Sequence, residues 1–167
     1  MLTQLSLHSP VGDLTLSAEG DALVALDWGW APEEFDFVQE TPLLLEARRQ
    51  LDAYFDGDLW GFDLPLAPRG TAHQQKVWTI MAAIPFGATR TYGEIAAEMG
   101  SFSRAVANAC GRNPLPIILP CHRVVAAGGK LGGYSGDGGV ETKKQLLNLE
   151  AVIFSGQMSQ TLLISGG

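Results

Sequence analysis

The stretch Thr91-Tyr92-Gly93-Glu94-Ile95-Ala96-Ala97-Glu98-Met99-Gly100-Ser101-Phe102-Ser103-Arg104-Ala105-Val106-Ala107-Asn108-Ala109-Cys110-Gly111 decides the fold of the second half of the chain. Thr91 is a good helix N-cap, and Glu94 three residues later completes a capping-box pattern. Ile95, Ala96 and Met99 follow at helical spacing, and Gly100 ends the helix. Ser103 reads as the cap of a second helix, Arg104 to about Cys110, closed by Gly111. Two short helices across a tight, glycine-containing turn read as a helix-turn-helix. Helical hairpins that bind no DNA share this spacing, so both readings stay open at this level.

Upstream, Thr71-Ala72-His73-Gln74 is a second capping box. It opens a helix whose Val77, Ile80, Met81 and Ile84 share one face, stopped by Pro85-Phe86-Gly87. Before it, Leu64 to Gly70 has no periodicity and reads as a linker. Residues 3–28 are short strands separated by Ser9-Pro10-Val11-Gly12-Asp13 and Glu19-Gly20-Asp21, an antiparallel meander. Thr41 caps a helix with Pro42 at its start, and Leu44, Ala47, Leu51 and Tyr54 form one apolar stripe. Downstream come the rigid turn Asn113-Pro114-Leu115-Pro116, the apolar run Ile117 to Leu119, and Pro120-Cys121-His122-Arg123. Seven glycines fall within residues 128–139, but not in a phosphate-loop pattern. A last helix is expected from about Val140 to Glu150. The tail from Ala151 looks strand-like and then frays. The fold class is therefore α+β. Residues 1–70 form a small antiparallel-sheet domain with a helix. Residues 71–155 form a mostly helical domain, and 156–167 a tail.

With 167 residues, 46% apolar content and a mean hydropathy of +0.11, the chain can bury a core and is not of the disordered class. No apolar run is long enough to span a membrane, and the start lacks a basic and apolar leader pattern, so a cytoplasmic protein is expected. Net charge is −7, which taken whole argues against a nucleic-acid partner. The split argues otherwise: residues 1–70 hold 3 basic and 13 acidic residues, whereas residues 71–167 hold 8 and 5. Such asymmetry suggests halves with different partners. Two cysteines make no disulfide scaffold. His8, His73 and His122 lack metal-ligand spacing, so no metal site is expected.

Chemistry concentrates around Cys121. A buried free thiol is the ordinary fate of such a residue. His122 beside it and Arg123 after it favour a nucleophile, because basic neighbours lower a thiol pKa. If the segment is an extended strand, consecutive side chains point to opposite faces, so the pair needs a bend or a bridging water. Glu150 is a candidate to orient the imidazole, or a solvated helix end. Tyr92 is a candidate proton donor or core packing, and Asn113 a site residue or an Asx turn. Arg104 sits against the macrodipole at a helix start, which hints at an external anion or base. The glycines around Tyr134 and Ser135 allow close backbone approach to a ligand, or simply a loose loop.

The run Asn113-Pro114-x-Pro116-Ile117-Ile118-x-Pro120-Cys121-His122-Arg123-Val124-Val125, followed by Gly133-Tyr134-Ser135-Gly136, closely resembles the O6-alkylguanine-DNA alkyltransferases. Arg104-Ala105-Val106 resembles that family's recognition-helix start, and Lys144-x-Leu146-Leu147-x-x-Glu150 its final helix. The resemblance is dense from about residue 73 to 150. It implies a winged-helix-like helix-turn-helix that enters the minor groove of double-stranded DNA, in a monomer. It implies single-turnover transfer of an alkyl group from O6-alkylguanine to Cys121, with O4-alkylthymine open as a second substrate. His122 would take the thiol proton through a water, Glu150 would hold His122, Asn113 would brace the segment, and Tyr92 would protonate the leaving base. Tyr134 would pack on the base, the Ser135 N–H would meet O6, and the Val124 carbonyl the exocyclic amine. Arg104, flanked by Ser103 and Ala105, would fill the gap left by the flipped nucleotide. Some relatives carry a structural zinc in the N-terminal domain; with no cysteine before 110, neither metal nor cofactor is expected here. Cys110 falls where relatives often have an apolar pocket wall; it reads as packing, with the alternative that a second thiol near the lesion alters which alkyl groups fit. A Cys-His-Glu hydrolase and an inert helix-turn-helix binder are the rival readings.

Overall fold

The computed structural model describes residues 2–32, 40–134 and 139–165. Three antiparallel strands, β1 (Leu2–Leu7), β2 (Leu14–Glu19) and β3 (Ala22–Trp28), form a meander in the order β1-β2-β3. Turns at Gly12 and Gly20, both at positive φ, reverse the chain. Helix α1 (Pro42–Phe55) lies on this sheet. Thr41 accepts from the Leu44 N–H as N-cap, and Leu44, Ala47, Leu51 and Tyr54 are fully buried, so the expected stripe is the packing face.

The segment expected to be a loose linker is tied down. The Leu23 N–H donates to Pro65 O and the Ala67 N–H to Leu23 O, so Leu66 bridges the edge of β3. On the same strand the Leu26 N–H donates to Pro114 O at 2.8 Å, joining the sheet to the second half of the chain.

Helix α2 (Ala72–Ala82) carries the expected Thr71–Gln74 capping box and buries Val77, Trp78 and Met81. The Trp78 indole N–H donates to Ala109 O at 2.9 Å, fixing α2 against the helix-turn-helix. That unit is α3 (Tyr92–Met99), the left-handed cap Gly100, and α4 (Ser103–Gly111). Strand β4 (Arg90–Thr91) leads into α3 and pairs in parallel with β5 (Val124–Val125). The start of α3 is thereby tied to the segment that carries Cys121.

Two further expectations need correction. Ser103 is not the cap of α4 but its first residue; Phe102 holds the cap position, makes no side-chain hydrogen bond, and is 78% exposed. The tail is not strand-like: α5 runs unbroken over Val140–Ser165. Leu146 and Glu150 are buried, and Leu149, Ile153 and Phe154 pack on the core at helical spacing. Phe154 lies so close to Gly87 (φ 83°) that a Cβ there would meet its ring at 2.7 Å.

Candidate active site

Pro120 leads into a 3₁₀ turn over Cys121–Arg123, so the segment is bent rather than extended. The apolar run ahead of it cannot extend. Ile117 takes φ 74°, costly for a β-branched residue, and the Leu119 N–H turns back to Leu115 O. Asn113 braces this loop from within. Its Nδ2 donates to Leu119 O at 2.8 Å, and its Oδ1 accepts from the Leu115 N–H at 2.9 Å.

Cys121 is 3% exposed and sits at one end of a cavity of about 500 Å³. Tyr92, Cys110 and Tyr134 share its walls with Ala107, Asn108 and Gly111 of α4 and with Gly132 and Gly133. Gly132, at φ 72°, lets the chain pass close to Tyr92: a Cβ there would meet its ring at 2.9 Å. Ser135 lies outside the described residues. Arg104 and Ser103 are exposed and Ala105 is half-buried. Arg104 precedes Ala107, Asn108 and Gly111 by 3, 4 and 7 residues. It therefore stands on the α4 face that lines the cavity.

Burial raises the Cys121 thiol above its usual pKa, although Asn113, Lys143 and Tyr134 partly offset this. The simple expectation that a basic neighbour would lower it is corrected: Arg123 is spent elsewhere. Its Nε donates to Glu150 Oε1 at 2.8 Å and its Nη1 to Ile84 O at 2.7 Å. Glu150, on α5, draws three further bonds to Oε2. These come from His122 Nε2 at 2.5 Å, Tyr54 OH at 2.6 Å and Arg123 Nη2 at 3.1 Å. Burial alone would raise this carboxyl, but the hydrogen bonds from His122 and Arg123 and the guanidinium charge of Arg123 bring it down to about 2, so it is ionised. Burial holds His122 below its usual pKa, with Glu150 acting the other way. The imidazole is therefore neutral, with its N–H on Nε2 and a lone pair on Nδ1. That Nδ1 is buried and has no hydrogen-bond partner among the described residues.

Two residues of the site escaped the sequence reading. Lys143 is 0% exposed; its Nζ donates to Val124 O at 2.7 Å, Gly133 O at 3.2 Å and Tyr92 OH at 3.3 Å. It precedes Glu150 by seven residues, two helical turns on one face, a signal the sequence did carry. Tyr54 gave no such signal, since its partner lies 96 residues away. The Val124 carbonyl is already engaged by Lys143, which leaves one lone pair for a ligand. The Tyr92 hydroxyl is pushed up to about 12, first by burial and then by the two cysteines, and stays protonated.

A buried cysteine followed in sequence by a carboxylate-held histidine, at a cavity walled by the second helix of a helix-turn-helix, is the arrangement expected of a nucleophile coupled to a nucleic-acid reader. Comparison with known proteins narrows the class. The family model for the 6-O-methylguanine DNA methyltransferase DNA binding domain matches residues 72–152, and that for the ribonuclease-like domain residues 4–68. The chain is 44% identical over 149 residues to the methylated-DNA–protein-cysteine methyltransferase of Methanosarcina acetivorans, covering 86% of this chain and 94% of the relative. It resembles the crystal structure of Mycobacterium tuberculosis O6-methylguanine methyltransferase with a TM-score of 0.80 at 43% identity, over 91% of this chain and 94% of the other. The Mycobacterium tuberculosis OGT in complex with DNA gives 0.80 at 42%, over 90% and 94%. The chain belongs to the 6-O-methylguanine DNA methyltransferase family.

Proposed function

We propose that the protein repairs DNA directly, moving the alkyl group of O6-alkylguanine onto its own Cys121 once per molecule. The observation that carries this reading is the cavity of about 500 Å³ that Cys121 shares with the helix bearing Arg104. An O6-alkyl group inside a duplex is out of reach, so the nucleotide must rotate out into such a pocket. α4 enters the minor groove, Arg104 fills the vacated place in the stack, and Ser103 and Ala105 flank it. Tyr134 packs on the extruded base, and Cys110 shapes the alkyl side of the pocket.

The chemistry is displacement at carbon. His122 Nδ1 takes the thiol proton through a water, and the Cys121 sulfur attacks the alkyl carbon. The C–O bond breaks as the C–S bond forms, and Tyr92 gives its proton to the departing guanine. Glu150 keeps the N–H on Nε2, and Asn113 holds the loop. Lys143, beside the Tyr92 hydroxyl, stabilises the phenolate left behind. The steps call for no metal or cofactor. The product is a thioether, which water does not cleave, so the molecule is spent. It acts as a monomer in the cytoplasm, each chain carrying one complete site.

Cys121→Ser tests the assignment. It should hold a duplex carrying O6-methylguanine as tightly as the parent protein and gain no mass, while Cys110→Ala should react like the parent. Methylation of Cys121→Ser would refute it.

A further inference from the structure

We infer that Tyr54, on the first helix of the N-terminal half, is a positioning residue for alkyl transfer, its phenol setting the basicity of Glu150 and through it the proton affinity of His122. The inference deepens the proposed relay and rests on it.

Three donors converge on Glu150 Oε2, and of these only the Tyr54 hydroxyl comes from the N-terminal half of the chain. Tyr54 is 0% exposed and Glu150 1%. Its ring is held by Phe62 at 5.4 Å and by Phe86 at 6.1 Å between centroids, and Arg123 lies over the same Phe86 ring at 5.6 Å. Packing of that kind asks only for an aromatic ring; phenylalanine would fill the place as well. A buried hydroxyl is tolerated because it has a partner, and here the partner is the relay carboxylate. Burial, with the Glu150 charge, pushes the phenol far above its usual range, so it remains a donor at every working pH.

The consequence concerns how one carboxylate oxygen is shared. A neutral donor at 2.6 Å disperses negative charge that would otherwise act on His122 Nε2. Arg123 does the same mainly at the other oxygen, Oε1. The other groups facing this pair are Lys143, two turns back on α5, and Cys121 and Tyr134 at the cavity. With its charge divided, Glu150 fixes the imidazole tautomer without drawing the ring into the imidazolium form. Nδ1 therefore keeps the lone pair that accepts the thiol proton. Removing the phenol strengthens the Glu150–His122 bond, raises the His122 pKa, and leaves more of the histidine protonated and idle near neutral pH.

The test is single-turnover transfer from free O6-benzylguanine, which bypasses DNA, measured from about pH 5 to about pH 9 with the full chain. In Tyr54→Phe the acidic limb of the rate should move up by about half to one pH unit, with duplex affinity unchanged. Phe62→Leu, which loosens the same ring, should lower Tm and leave the limb in place. In the unmodified protein, the Tyr54 hydroxyl proton resonance should move with the same apparent pKa as the His122 ring nitrogens. This readout does not depend on the variant folding. If Glu150→Gln slows transfer but Tyr54→Phe leaves the limb unmoved, the inference fails alone. It fails equally if Phe62→Leu moves the limb as far, or if the Tyr54 proton ignores the His122 titration. If Glu150→Gln reacts at the parent rate, the relay itself falls and the inference with it.

Discussion

The two ring nitrogens of His122 do different work. Nε2 is committed to Glu150 at 2.5 Å, while Nδ1 is buried and open. In the proposed relay its neutral form is the working form, and burial holds its pKa below the usual 6.5. The transfer rate should therefore be level through neutral pH and fall as pH drops through that lowered value. His122→Ala should slow transfer by roughly 10²–10⁴-fold. Raising pH should restore part of the loss. Because burial raises the Cys121 thiol, the restoration should come above the ordinary thiol value of about 8.5. A defect that does not respond to pH would make His122 a structural residue. Arg104 belongs to the same scale but to a different step. It is exposed and lies on the helical face of α4 that carries Ala107, Asn108 and Gly111 of the cavity wall. Arg104→Ala should depress repair of a lesion in duplex DNA by at least about tenfold, the order of one lost charged contact, and barely alter reaction with free O6-benzylguanine. Equal losses on both substrates would place Arg104 in the chemistry instead.

Of the helices α1 to α4, only α4 starts without a side-chain cap. Phe102 stands in a cap position that favours Ser, Thr, Asp or Asn, and supplies no acceptor to the first amides. Phe102→Ser should stabilise the free protein by about 0.5–1 kcal/mol in urea unfolding; a loss of stability would show that the exposed ring has a packing role. Reading this boundary one residue late is an error of local geometry, because Phe102 and Ser103 differ only in which takes extended φ and ψ. The sheet and α1 were legible because their signals are local: turn residues between short strands, and the stripe Leu44, Ala47, Leu51, Tyr54 behind a good cap. The tail was not, since Ala151 to Phe154 is an apolar run that fits strand or helix. What decides is Gly57 and Gly87, which leave room for Ile153 and Phe154. Cys121, His122, Glu150 and Asn113 stood out by residue type and by resemblance. The 3₁₀ turn that carries Cys121 and His122 did not, because nothing in the residues announces a left-handed Ile117.

For the molecule as a whole, the charge split gives each half its task. The first 70 residues, with 13 acids against 3 bases, are unsuited to lie on phosphate. Of the basic residues in the second half, Arg123 and Lys143 are buried in the site and Arg90 is paired with Glu94 and Glu98. Lys76, Arg104, Arg112, Lys130 and Lys144 are exposed and in no ion pair among the described residues. Each phosphate neutralised on B-DNA contributes about −0.9 to the log–log salt slope, so with at most five contacts it should be no steeper than about −4 to −5. A steeper slope would mean that DNA reaches surfaces beyond α4 and its surroundings. The acidic half instead closes over the back of the site, through Tyr54 on Glu150 and Trp28 edge-on to Tyr134 at 6.2 Å. The central claim is that Cys121 accepts one alkyl group and is then spent. It is tested most directly by intact mass and peptide mapping after incubation with an excess of duplex DNA containing O6-methylguanine. The account predicts a gain of a single methyl group per molecule, on Cys121, reaching a plateau at one lesion repaired per protein. Continued turnover past that plateau, or the methyl group on Cys110, would contradict it.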